Sequence, residues 1–274
     1  MLINDLECYE RSAHYTGSKC GMDDPSFSLT TKKEWNNSPV QNFDYRFNSW
    51  GFRGPDYEQY IGQPVNICLG DSFTVNIGGP IEHSWCDRLA LHYPIPTINL
   101  GMDGAGNDAI SLLYYRACDL FDVQFTFVMY SYFHRRLRDG KFIQDVIEDE
   151  DNFDYFLRHR IPHAIECAIP SWNYSKQEQD FLQELDIFYV DAPTHYSPNS
   201  KRSHIFETSY NNLRGPDWPT LEQFQNGAEA HPDMLTERFG GFLSHQGFVN
   251  RDGHHNNLAT NKIYADYLHK RFLL

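Results

Sequence analysis

Short apolar runs that end at a glycine or a polar turn alternate along this chain with segments of helical apolar spacing. The runs with strand character are residues 64–69, 97–100, 123–130, 165–170 and 187–190. Helical spacing covers residues 81–93, 108–120, 176–185 and 257–274. Because strands that alternate with helices form mostly parallel sheets, the sequence predicts an α/β fold. We expect a three-layer α/β/α sandwich of about five strands.

Two stretches depart from this alternation. Residues 1–62 are polar and lack a sustained helical period, which favours an irregular lead-in that packs on the core. Residues 191–250 carry dispersed prolines among aromatic residues and glycines, which indicates an insertion. We therefore predict one domain over 63–274 with a flavodoxin-like sheet, enlarged by the insertion at 191–250.

Composition excludes several classes of function. The 274 residues include 23 Lys and Arg against 37 Asp and Glu, a formal net charge of −14. So acidic a chain, without a basic block, is unsuited to nucleic acid or an anionic membrane surface. No apolar run approaches the roughly 20 residues that span a bilayer, and the first residues do not resemble a signal peptide. We expect a soluble cytoplasmic protein, with association to a particle as the alternative.

A serine follows the first predicted strand directly, in Gly70-Asp71-Ser72. At a strand-to-helix turn a serine hydroxyl projects from the sheet edge, and the serine N–H points to where an oxyanion forms. Ser72 is therefore the candidate nucleophile. The alternative is that Asp71 and Ser72 only cap a helix, since both residue types are preferred there.

A second polar motif precedes the last predicted helix. Asp252 and His255 stand three positions apart around Gly253, close enough for the carboxylate to orient an imidazole that accepts a proton from serine. Alternatives are a capping turn or, with His254, a metal site. The chain lacks an HExxH pattern or a cysteine partner, which disfavours metal.

Together these motifs resemble the first and last signature blocks of the SGNH/GDSL hydrolase superfamily. The segments 47–54, 82–85 and 99–104 are also similar to one bacterial and viral branch of it, and residues 47–136 and 252–270 carry the likeness. The resemblance implies that Ser72 is the nucleophile, His255 its base and Asp252 the group that orients the imidazole. It also implies that Gly104 lends an N–H to an oxyanion hole beside the N–H of Ser72. A tight turn after the strand explains the same glycine equally well.

The remaining signature block departs from the superfamily pattern. The superfamily places an asparagine after the third strand, but this chain has Ser131-Tyr132-Phe133-His134-Arg135-Arg136 there. Asn107 is our candidate for the missing oxyanion donor, with plain helix capping as the alternative. Asp71, Arg135 and Arg136 are the candidates for binding substrate. We expect neither a metal nor another cofactor.

The resemblance implies a serine esterase that removes acetyl or another short acyl group from a carbohydrate-type substrate through an acyl-enzyme. The expected partner is thus a small-molecule or glycan ester. Transfer of the acyl group to a glycan is one alternative, because the same residues serve an alcohol acceptor. The other is a catalytically silent binding or structural protein that keeps the fold.

Overall fold

The computed structural model describes residues 16–20, 23, 43–138, 141–143, 152–168 and 181, and near the end of the chain residues 255, 261–262, 265–266 and 268–269. The chain divides into two compact units. Of the described residues, the first unit contains 16–18, 44–75, 93–138, 141–143, 152–168 and 181, and the second contains the others. The main sheet lies in the first unit.

The described strands and helices follow the predicted alternation over the middle of the chain. The strands are β1 (Thr16–Gly17), β2 (Tyr45–Arg46), β3 (Pro64–Gly70), β4 (Thr97–Gly101), β5 (Asp122–Tyr130), β6 (Arg136–Arg138), β7 (Lys141–Ile143) and β8 (Ile165–Ala168). The helices are α1 (Ser72–Val75), α2 (Trp85–Ala90), α3 (Asn107–Leu120) and α4 (Asn152–Arg158). Single 3₁₀ turns occupy Glu58–Tyr60 and Ile81–His83.

Four parallel strands form the main sheet in the order β4, β3, β5, β8. The first strand of the sheet, β3, lies between the second and the third, as in flavodoxin-like sheets. Gly70 is in register with Gly101 of β4 and Met129 of β5, so these three strands end at one edge. The predicted α/β/α fold class is confirmed, while the fifth predicted strand, 187–190, lies outside the described residues.

Burial explains why these segments form the sheet. Strand β3 is buried from Val65 through Gly70, the near-continuous pattern of a strand covered on both faces. Helix α3 packs on β3 and β5. Its apolar core side chains share one face at helical spacing: Ala109, Ile110, Leu113 and Ala117. The short helix α1 packs on β3 and β4, and all four of its residues are buried.

Some boundaries differ from the sequence-based expectations. The helix predicted over 81–93 is instead a 3₁₀ turn followed by α2, because Ser84 has an extended backbone and caps α2. The Ser84 hydroxyl oxygen accepts a hydrogen bond from Asp87 N at 3.0 Å. The β6–β7 hairpin and α4 have no counterpart in the predictions.

The terminal helix predicted over 257–274 is described only in part. Its described members are helical: Asn261, Lys262, Ala265, Asp266, Leu268 and His269. The insertion at 191–250 lies outside the described residues. Within the described part of the chain, no helix combines the length and the apolar character that crossing a bilayer requires.

Candidate active site

The segments that follow β3, β4 and β5 meet at the carboxyl edge of the sheet. Met102 N, just beyond β4, donates to Gly70 O at 2.9 Å, and Ser131, just beyond β5, contacts Asp71. Ligands of open parallel sheets bind outside this edge, and in the observed strand order the crevice opens beside the first strand. The candidate site therefore begins with the residues after β3.

Ser72 is the first residue of α1 and is 5% exposed. The helix is capped by the preceding residue, since Asp71 Oδ1 accepts from Phe73 N at 3.1 Å. The carbonyl of Asp71 accepts from Thr74 N and Val75 N. No hydrogen bond of the Ser72 hydroxyl is present among the residues that the structure describes. The capping alternative thus applies to Asp71 and not to the Ser72 side chain.

The second carboxylate oxygen of Asp71 joins the turn after β3 to the loop after β5. Asp71 Oδ2 accepts from Ser131 Oγ at 2.7 Å and from Arg135 Nη1 at 2.9 Å. Arg135 Nη1 also donates to Ser131 Oγ at 3.0 Å. The Asp71 side chain is fully buried, whereas 18% of the Arg135 side chain is exposed. These contacts occupy both carboxylate oxygens of Asp71 and favour a positioning role over substrate binding.

Asn107, the first residue of α3, forms a two-way bridge to the loop after β5. Its Nδ2 donates to Ser131 O at 3.0 Å, and its Oδ1 accepts from Ser131 N at 2.8 Å. The cap of α3 is Gly106, without a side-chain cap bond, so the capping alternative for Asn107 is wrong. The Nδ2 group carries a second N–H, and its donation to an oxyanion stays a prediction.

Glycines permit close approach of the three loops. A Cβ on Gly101 would stand 2.7 Å from Val75 N and 2.8 Å from Thr74 C, so α1 lies directly against this position. Gly104 has a φ of 72°, a left-handed conformation that favours glycine. These observations support the tight-turn explanation for the glycines, and the N–H of Gly104 as an oxyanion donor stays a prediction.

The carbonyl end of α1 is held by side chains whose roles the sequence reasoning missed. Asn99 Nδ2 donates to Thr74 O at 2.9 Å, and Arg53 Nη1 donates to Val75 O at 3.1 Å. Arg53 is 1% exposed, and its guanidinium lies 4.3 Å from the ring centroid of Tyr45. Both residues fall inside segments that carried the family resemblance, but only their contacts link them to the serine turn.

Arg136 makes its described contacts with α4. Its Nη2 donates to Asn152 Oδ1 at 2.5 Å, and its guanidinium lies 4.2 Å from the ring centroid of Tyr155. The Tyr155 hydroxyl donates to Asp108 Oδ2 at 2.8 Å. Burial, followed by this bond, raises the pKa of Tyr155 to about 12. The contacts of Arg136 favour a packing role at this position.

The catalytic pair predicted near the end of the chain is described only in part. His255 is buried and lies in a bend, and Asp252 lies outside the described residues. The assignment of His255 as base and Asp252 as its orienting group stays a prediction. No group of three or more His, Cys, Asp or Glu side chains suited to a metal ion occurs among the described residues.

Two solved structures to which the chain is similar are distant from it in sequence. No family model matches the chain, and no curated protein matches it. A solved protein of the lipolytic G-D-S-L family from Desulfitobacterium hafniense DCB-2 is 17% identical, with a TM-score of 0.31 over 47% of this chain and 78% of that one. Another member, from Veillonella parvula DSM 2008, is 10% identical, with a TM-score of 0.33 over 76% of this chain and 97% of that one. Similarity at these TM-scores does not assign the chain to a family.

Proposed function

We propose that this protein is a serine hydrolase that cleaves carboxylic esters. The observation that carries the proposal is the turn at Ser72. This serine opens a helix at the carboxyl edge of a parallel sheet, and the cap of that helix is Asp71, so the Ser72 hydroxyl is not used as a cap. The first N–H groups of a helix have no partner inside it, so the N–H of Ser72 suits a developing oxyanion.

In the proposed mechanism, Ser72 Oγ attacks the ester carbonyl while its proton passes to His255. The tetrahedral intermediate collapses with cleavage of the bond to the alkoxy group, which leaves with that proton as an alcohol. Water then attacks the acyl-enzyme by the same route and releases the acid. Asp252 orients the imidazole, and the N–H groups of Ser72 and Gly104 with Asn107 Nδ2 stabilise the oxyanion. These roles come from the sequence motifs.

For the substrate we propose acetyl or another short acyl group on a carbohydrate-type alcohol. This choice comes from the sequence resemblance. A panel of aryl esters of increasing chain length, together with acetylated oligosaccharides, tests it directly. Preference for long acyl chains would contradict it, and acylated sugar formed from an acetyl donor would indicate transfer in place of hydrolysis.

The test of the mechanism compares two serines of equal burial. Ser72 and Ser111, the latter on α3, are each 5% exposed. Ser72→Ala should lower kcat on a short-chain aryl ester by about 10⁴-fold or more and abolish labelling by a fluorophosphonate. Ser111→Ala should retain the wild-type kcat and the labelling by the fluorophosphonate. Equal hydrolysis by wild type and Ser72→Ala would overturn the mechanism.

A catalytically silent protein is the second candidate. The observation that favours it is the engagement of Asn107 with the backbone of Ser131, in a chain without the usual asparagine after the third strand. Folded wild type that neither hydrolyses any ester in the panel nor reacts with the fluorophosphonate would establish this alternative.

A further inference from the structure

We propose that Arg135 is a positioning residue that holds the nucleophile turn in place through Asp71. The inference rests on the proposed function, because it assigns a task at the same site. It concerns a residue of the block in which this chain departs from the superfamily pattern. In that block Ser131 and Arg135 both bond to Asp71.

The positive charge of Arg135 compensates the negative charge of the buried Asp71 carboxylate. The Asp71 carboxylate is fully buried and accepts three hydrogen bonds, from Phe73 N, Ser131 Oγ and Arg135 Nη1. Two of these donors are neutral, and the guanidinium supplies the compensating positive charge. Removal of one partner of a buried ion pair leaves an uncompensated charge, which is strongly unfavourable. Without Arg135 the buried carboxylate has lost its compensating charge, so the arrangement of its remaining hydrogen bonds changes.

A shift of Asp71 displaces Ser72 because the two residues are adjacent in one tight turn. Asp71 holds the first turn of α1 by its side chain, through Phe73 N, and by its carbonyl, through Thr74 N and Val75 N. These bonds fix the direction in which the Ser72 Oγ and N–H point. Displacement of a reacting group by about 1 Å lowers a rate by about 10²-fold.

Arg135 is itself held, so it can act as a fixed support. Its backbone N–H donates to Tyr132 O at 3.1 Å, and its guanidinium lies 4.7 Å from the ring centroid of Tyr132. A Cβ on Gly106 would stand 2.8 Å from Arg135 O, so the start of α3 packs closely on the Arg135 backbone. A side chain already ordered in this way pays little further entropy to hold Asp71.

The experiment measures kcat and KM on a neutral aryl acetate and on an aryl hemisuccinate, which carries a carboxylate. Arg135→Met should lower kcat on both esters by about 10²-fold with little change in KM. Arg135→Lys should recover most of the activity, because one nitrogen, Nη1, makes the bonds to both Asp71 and Ser131. Adding Asp71→Asn to Arg135→Met should also recover activity, since it removes the unpaired charge and keeps the shape.

Arg160→Met is the control. Arg160 pairs with Glu166 at 2.6 Å; the Arg160 side chain is 41% exposed, against 18% for Arg135, and the Glu166 side chain is 7% exposed. Loss of this pair perturbs the Glu166 carboxylate, which bonds to Tyr130 and Arg160 in the same unit, and should leave kcat unchanged. A kcat for Arg135→Met equal to that of wild type would overturn the proposal. So would a rise in KM confined to the hemisuccinate, which would make Arg135 a substrate-binding residue.

Hydrogen exchange separates failure of this proposal from failure of the proposed function. An inactive wild type would overturn the function, yet amides 73–75, which Asp71 accepts from, should still exchange faster in Arg135→Met than in wild type or Arg160→Met. The double variant with Asp71→Asn should restore part of the protection. Equal protection of these amides in all four proteins would overturn the positioning role whatever the activity.

Discussion

Asn66 and Asn99 lie on neighbouring strands of the main sheet, two register positions apart, with Asn99 nearer the carboxyl edge, and both side chains are buried. Asn99 Nδ2 donates to Thr74 O, and Asn99 Oδ1 accepts from Gly101 N at 2.9 Å. Neither Nδ2 nor Oδ1 of Asn66 has a hydrogen-bond partner among the described residues. The same residue type is thus bonded through both polar side-chain atoms at the position nearer the carboxyl edge, and it has no described side-chain hydrogen bond two register positions nearer the amino edge.

The two positions differ because, among the described residues, the carboxyl edge receives polar side chains from several loops. Side chains there bond to backbone atoms far away in sequence, as Asn107 does to Ser131 and Arg53 to Val75. Near the amino edge the register partner of Asn66 is Thr97, whose Oγ1 also lacks a partner within the described part of the chain. Buried polar groups therefore stabilise a defined geometry at one end and cost free energy at the other.

The largest expected effect comes from adding a methyl group at the carboxyl end. Gly101→Ala should lower the free energy of unfolding by about 3 kcal/mol, because the new Cβ meets the backbone of Thr74 and Val75 below 3 Å. It should also lower kcat, since α1 must move and Ser72 moves with it. Urea unfolding and ester hydrolysis measure the two effects.

Gly62→Ala is the control at the amino end. Beyond Gly62 and its two chain neighbours, no atom lies within 4 Å of a Cβ placed there, and the φ of 71° is what opposes the substitution. The expected cost is about 1 kcal/mol, with kcat unchanged. An equal loss of kcat in both variants would show that the nucleophile turn is not especially sensitive to packing at the carboxyl edge.

Two substitutions of a buried asparagine by valine should change the free energy of unfolding in opposite directions. Asn99→Val removes the hydrogen bonds to Thr74 O and from Gly101 N and should lower the free energy of unfolding by about 2 kcal/mol. Asn66→Val removes a polar group without a described partner and should raise it by about 1 kcal/mol. Thermal and urea unfolding check both. Destabilisation by Asn66→Val would mean that the two ends of the sheet do not differ in this way.

The smallest expected change in stability concerns the hydrogen bond between Tyr155, on α4, and Asp108, on α3. Tyr155 donates to Asp108, and the pKa of Tyr155 rises from 10.0 to about 12 in the folded protein. The folded state then retains a proton that the unfolded chain loses, so this contribution to stability is present below pH 10 and disappears as the pH rises to 12. Tyr155→Phe should lower the free energy of unfolding by about 1 kcal/mol at pH 7. Between pH 10 and 12 this variant should lose less stability than wild type does.

The exposed Tyr115 on α3 provides the comparison for that measurement. Tyr115→Phe should follow the wild-type stability at both neutral and alkaline pH. Identical alkaline unfolding curves for Tyr155→Phe and wild type would show that the Asp108 bond does not contribute to stability.

Local pattern was sufficient to predict most of the main sheet. Strands β3, β4, β5 and β8 and helix α3 lie within a few residues of their predicted bounds, because each carries an apolar pattern of its own. The antiparallel pair of strands β6 and β7 and helix α4 were not predicted. The backbone N–H of Leu137, in β6, donates to Asp108 Oδ2 at 2.6 Å. A contact between residues so far apart in the chain produces no apolar periodicity from which it could be predicted.

The sequence alone determined that Ser72 directly follows a buried strand, since the apolar run and the glycine that ends it are adjacent residues. The helix that begins at Ser72 was found only in the structure. Only the tertiary structure decided what holds that turn. Ser131 and Arg135 stand 60 and 64 positions from Asp71, and their contacts depend on the register that ends β3 and β5 at one edge. Register is a property of paired strands, so the apolar pattern of one strand does not determine it.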